Sequence, residues 1–177
     1  MTVFLTYGYQ RVTMEDIARA SDMSRPALYL LFRNKSDIYR ALAGRVFEQC
    51  TAVTDAALAG GGTLAERLAR AVDGVMSGIF DEIEQTPHGA ELVDLKPSLA
   101  SDLIERWMNV MAGRYAAAIE ADAMARNVDL AARGLSAMGL ANTLICGIDG
   151  AKQRFRTREE QRSAVRDLVR VIELALT

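Results

Sequence analysis

Residues 24 to 37, SRPALYLLFRNKSD, place a guanidinium at Arg25, a phenol at Tyr29 and an ammonium at Lys35 along one short stretch. Each can donate a hydrogen bond to an anionic oxygen, and none is a residue type that a short core helix requires. A phosphate oxygen suits an outward phenol, whose ring would otherwise be wasted apolar surface. Lys35 stands at the amino end of the next helix, where free amides and the macrodipole already favour an anion. Catalysis, by contrast, lacks its parts. There is one histidine, His88, and the two cysteines, Cys50 and Cys146, are far apart with no CxxC spacing. Gly60-Gly61-Gly62 has no strand before it and no Lys-Ser or Lys-Thr after it, so it reads as a turn and not a phosphate loop. The expectation is no enzyme, no metal and no cofactor.

The elements that must hold these donors are helices. Apolar residues recur at spacings of three and four, and no segment alternates with β-branched residues, which predicts an all-α fold. Thr13 with Asp16 opens a short helix through Ala20 by a capping box. Ser24 caps a second, with Pro26 in its first turn where a missing N–H costs nothing. Asn34 with Asp37 opens a long third helix that runs toward Leu58 and ends at the glycines. Thr63 caps a helix bearing Leu64, Leu68, Val72, Val75, Ile79 and Ile83, broken at Thr86-Pro87-His88-Gly89. After a short segment and Lys96-Pro97, a long helix spans about 98 to 125, and two more follow at about 134 to 154 and 157 to 176. His88 is read as shaping the bend after Pro87.

The chain of 177 residues carries a net charge of −2, which conceals an asymmetry. Residues 1 to 47 hold seven cations, among them Arg11, Arg19, Arg25 and Lys35, against four carboxylates, a net of +3, while the remainder is −5. The two parts therefore face different partners. A domain boundary follows: 1–47 as one domain and 48–177 as the other. With 50% hydrophobic residues the chain can bury a real core. No apolar run reaches the length of a membrane span and the opening MTVFLTYGY lacks the pattern of a signal peptide, so the expected compartment is the cytoplasm, with reduced, partly buried thiols.

Two short helices joined by Ser21-Asp22-Met23 have the proportions of a helix-turn-helix. Ile17, Ala18, Met23, Leu28 and Phe32 would form its small core, leaving Arg25, Ala27, Tyr29 and Leu30 outward. Arg33 and Arg40 read as solvated charges. The segment TMEDIARASDMSRPALYLLFRNKSDIY strongly resembles the DNA-binding segment of the TetR family of transcriptional regulators. The likeness covers roughly residues 4 to 47, from Phe4 and Gly8-Tyr9 through Thr13, Ile17-Ala18, Ser24, Leu28-Tyr29 and Phe32 to Lys35. It implies that Thr13 meets phosphate, that Arg25 and Ala27 approach base edges, and that Tyr29 and Lys35 clamp the backbone, so that Thr13, Ser24, Arg25, Pro26, Ala27, Tyr29 and Lys35 make the surface for double-stranded DNA. Family members usually have a longer first helix before the position of Phe4, so this one is expected to be short.

In the larger part, Trp107, Met111 and Tyr115 at helical spacing, with Met76, Phe80 and Asn142 on neighbouring helices, are candidates to line a cavity for a small apolar effector; ordinary core is the competing reading. Asn142 shares a helix face with Cys146 and Asp149 and would supply polar groups to that cavity. The last two helices read as an interface. Ala141, Gly147 and Gly150 permit close approach, and Val165, Leu168, Val169 and Ile172 form a stripe that would pack on a symmetry mate in a homodimer, the alternative being that they cover their own chain's core. Together these readings point to a ligand-responsive homodimeric repressor on a palindromic operator. The alternative is a helical dimer that binds a ligand or protein and has lost DNA binding, which a short first helix would favour.

Overall fold

The computed structural model describes residues 1–94 and 99–177. Lys96, Pro97 and Ser98, where the sequence places the entry to the long helix, lie outside the described residues. Every element among the described residues is helical: α1 Thr2–Tyr7, α2 Met14–Ala20, α3 Arg25–Leu31, α4 Lys35–Ala59, α5 Leu64–Asp73, a π-helical segment Gly74–Phe80, α6 Asp81–Glu84, α7 Gly89–Asp94, α8 Ser101–Ala125, a 3-10 turn Ala131–Arg133, α9 Ala137–Arg154 and α10 Arg158–Leu174. The predicted capping box at Thr13 and the predicted cap at Thr63 are present, the latter also as a capping box, and Thr157 opens the last helix with a third. One helix was expected from Thr63 to Ile83; instead it widens into π turns at Gly74 and tightens again at Asp81. Gly74 and Gly78 lower the local preference for the regular α turn, and the wider winding buries Val75 and Met76 together, then Ile79 and Phe80 together.

The chain forms two compact units. The first joins Met1–Cys50 to Met76–Trp107, so the head contains a returning segment that a boundary at residue 47 leaves out. Its core is Phe4, Tyr9, Val12, Ile17, Ala18, Leu28, Ile38, Tyr39, Ala43 and Phe47, closed by Leu92 and Ala100 from that segment. Phe4, Tyr9 and Tyr39 form an aromatic run with ring centres 5.5 and 5.6 Å apart. Polar links bind the segment to the head, among them the His88 amide donating to the Leu5 carbonyl, the Gln10 amide to Glu91 Oε1, and the Tyr39 hydroxyl to the Leu92 carbonyl at 2.8 Å. Gly8 ends α1 at φ 84°, and a side chain there would run into His88 and Glu91.

The second unit joins Thr51–Val75 to Met108–Thr177. Leu64, Leu68, Ile119, Leu144, Val169, Ile172 and Leu176 are its fully buried centre. An ion chain runs beside them: Arg67 to Asp122 at 3.1 Å, Asp122 to Arg126 at 2.6 Å, then Arg126 and Arg170 to the buried Glu173. It joins α5, the end of α8 and α10. Gly147 of α9 lies so close to Leu168 of α10 that any side chain there would collide with it.

Candidate nucleic-acid interface

The turn between α2 and α3 is fixed by its own backbone. Asp22 adopts φ 51°, which aspartate tolerates better than most residues, and the Met23 amide returns to the Ala18 carbonyl at 2.9 Å. Thr13 caps α2: its hydroxyl accepts from the Asp16 amide and donates to the Asp16 carboxylate at 2.6 Å, and this bonding holds that carboxyl below its usual range. Ser24 caps α3 by accepting from the Ala27 amide. Leu28 is the buried residue of α3 and pins it to the head core. At 100° per residue the line opposite Leu28 carries Pro26 and Leu30, with Arg25 and Tyr29 on one flank and Ala27 and Leu31 on the other. Leu30 is 88% exposed and Leu31 64%.

The charged residues are arranged less uniformly than their types suggest. Arg25 lies 5.6 Å above the Tyr29 ring and 4.0 Å from Glu15, at the surface with both partners exposed. Tyr29 is outward, as expected, at 43% exposure. Lys35 is not exposed as expected. Its Nζ donates to the carbonyls of Tyr9 at 2.5 Å, Val12 at 2.9 Å and Gln10 at 3.3 Å, and it stands 4.4 Å over the Tyr9 ring. Those carbonyls belong to the turn between α1 and α2, so Lys35 closes that turn. Arg40, expected as a solvated charge, is paired instead. Both of its terminal nitrogens grip Asp102 at 2.7 Å, one also donates to the Leu99 carbonyl, and the guanidinium holds the Asp102 carboxyl far below its usual range. Nothing local in the sequence marks either pairing, because both partners come from distant positions. Burial, reinforced by the neighbouring Tyr9, pushes the Tyr39 hydroxyl up to about 12.

Residues 1–42 match the family model for bacterial regulatory proteins of the tetR family. The helix-turn-helix within residues 1–42 is of the TetR type. Two solved TetR structures resemble the whole chain. One is a TetR transcriptional regulator from Legionella pneumophila, 13% identical over 98% of this chain and 90% of that one, with a TM-score of 0.61. The other is the TetR family repressor AlkX from Dietzia sp. strain DQ12-45-1b, implicated in biodegradation of n-alkanes, 22% identical over 95% of this chain and 85% of that one, with a TM-score of 0.57. No curated protein matches the chain. The likeness in fold thus covers nearly the whole chain, while the family model covers residues 1–42.

Among the effector candidates outside the TetR head motif, Met76 and Phe80 are buried in the first unit, and Met111 and Tyr115 in the second. Trp107 stacks on Phe47 at 4.9 Å and meets Phe80 edge-on at 6.2 Å, and its buried indole Nε1 has no hydrogen-bond acceptor. Asn142, Cys146 and Asp149 are exposed on α9, so the expected polar wall is on the surface and not in a cavity, and Cys146 is not the partly buried thiol expected. A small apolar hollow of about 40 Å³ lies instead in the first unit, walled by Phe4, Tyr39, Leu42, Phe47, Ile83 and Leu92 among others. Of the interface candidates, Ala141, Val165, Val169 and Ile172 are buried within their own unit, and Gly147 with Leu168 pack on each other; Gly150 is exposed. They are buried because α10 covers both α5 and α9. The apolar residues left outward on these two helices are Met138, Val171 and Leu174. No described helix is long and apolar enough to cross a membrane.

Proposed function

We propose that this chain is a ligand-responsive, homodimeric transcriptional repressor that binds a palindromic operator through α2 and α3. The observation that carries the reading is the helix-turn-helix itself: a capped, seven-residue α3 pinned by Leu28, with Arg25 and Tyr29 outward, in a segment that matches the TetR family. Each head offers only one short recognition helix, and two heads on successive turns of the duplex supply the affinity that one lacks. Thr13, Arg25 and Tyr29 meet DNA directly. Ser24 and Pro26 shape the start of α3, and Lys35 positions the α1–α2 turn.

The effector is small and mainly apolar, and it engages the aromatic group around Trp107, whose indole N–H is free to meet one acceptor on the ligand. It acts by favouring one arrangement of the heads, with α4 as the lever because that helix runs unbroken from Lys35 into the second unit. Binding lowers operator affinity. The test is selection of bound duplexes from a random pool with the full chain, followed by affinity for the selected site with and without a ligand found by thermal-shift screening. A palindromic consensus and a ligand-weakened complex are expected, with the response reduced in Trp107→Phe. Failure to enrich any duplex refutes DNA binding and favours the other reading, a ligand-binding dimer without an operator.

A further inference from the structure

An isolated surface leucine needs no explanation, but the outer line of α3 is a different case. On the helix that the head presents outward, the positions farthest from the buried Leu28 are Pro26 and Leu30, and the adjoining flank carries Ala27 and Leu31. None of these side chains has a hydrogen-bond donor or acceptor. The cations lie to the side: Arg25 is drawn along the Tyr29 ring toward Glu15, and Arg33 follows the helix. The leading edge is therefore apolar and its border is positive.

A positive border selects a polyanion, and an apolar edge then limits what can be read inside the groove. Base edges in the major groove present acceptors, amino donors and one apolar group, the thymine 5-methyl. An aliphatic side chain placed against the acceptors or donors would desolvate them with no return bond, whereas against the methyl it removes apolar surface from water on both sides. We infer that Leu30 is a specificity-determining residue that reads thymine methyl groups in the operator half-site, with Leu31 extending the same contact. This rests on the DNA-binding reading above and specifies what that site recognises.

The experiment exchanges thymine for uracil, which keeps every hydrogen-bonding edge and removes only the methyl. With the selected duplex in hand, each thymine of the half-site is replaced singly and affinity is measured for the full-length chain. One or two positions per half-site are expected to weaken binding by about fourfold each, the value of one methyl group taken from water. In Leu30→Ala the thymine and uracil duplexes should bind alike at one or more of those positions, with Leu31 accounting for any that stays sensitive, while Arg25→Ala should keep the difference at all of them. Should alanine abolish binding, Leu30→Val serves, with the difference reduced. Equal binding of thymine and uracil duplexes at every position overturns the inference and leaves DNA binding intact. Full methyl sensitivity in the Leu30 variant also overturns it, since another side chain then does the reading. Enrichment of no duplex at all overturns both.

Discussion

Lys35 shows how one side chain can serve a binding surface without touching the ligand. Its three carbonyl partners lie in the turn between α1 and α2, and a charge-assisted hydrogen bond contributes about 1.5–3 kcal/mol when made. Lys35→Met should therefore lower stability by about 2–3 kcal/mol in urea or thermal unfolding. Binding should weaken along with the population of folded head. The salt dependence of the remaining binding should not change; a slope smaller by about one unit would mean that the ammonium reaches phosphate after all. Sequence alone singled out this residue but not its three carbonyl partners, because a lysine's type fixes its charge but not the direction in which a flexible stem points it. Tyr39 gives a second test. Its hydroxyl ionises near 10 in an unfolded chain and only at about 12 in the fold, so the folded state holds its proton longer. Stability is complete below pH 10 and falls as pH rises from about 10 toward 12. Tyr39→Phe should flatten that fall in pH-dependent unfolding while starting from a lower stability, since the bond to Leu92 is gone.

Elements were legible where their ends carry chemistry. Thr13, Ser24, Thr63 and Thr157 each announce a helix start because a hydroxyl that satisfies an orphan amide has few other uses at that spacing. The π segment was not legible: Val75, Ile79 and Ile83 fit an ordinary helix, and only burial of Met76 and Phe80 beside them demands the wider turn. Pairing between elements was equally hidden. Asp122 is an unremarkable carboxylate in the sequence, yet it sits between Arg67 and Arg126 with little exposure. Removing one member of a half-buried pair leaves its partner uncompensated, so Asp122→Ala should destabilise by about 2–4 kcal/mol in urea denaturation, while the exposed Asp149→Ala should change it by less than about 0.5 kcal/mol. Equal effects would show that the ion chain adds nothing.

At the scale of the molecule, the stripe that sequence offered for dimerisation turns out to be mainly internal. Ile172 and Val169 bury at the centre of the second unit, so a charge there should unfold the chain instead of separating two copies. The residues to test lie one helical step away. Val171 is 61% exposed and Leu174 54%, and Val171→Glu with Leu174→Glu should give a folded monomer by sedimentation that binds a palindromic site without cooperativity. A dimer unchanged by both substitutions would place the interface elsewhere. The periodicity of α10 marks the stripe that buries; periodicity does not say whether the partner for a stripe is the same chain or another. The returning segment Met76–Trp107 carries a practical consequence for anyone cutting and recombining such proteins. A chimera that transplants residues 1–47 onto a foreign body leaves behind Leu92, Leu99 and Asp102, the acceptors for Tyr39 and Arg40. Modular exchange of DNA specificity from this chain thus needs two discontinuous pieces of sequence, or a host whose own returning segment supplies the same acceptors.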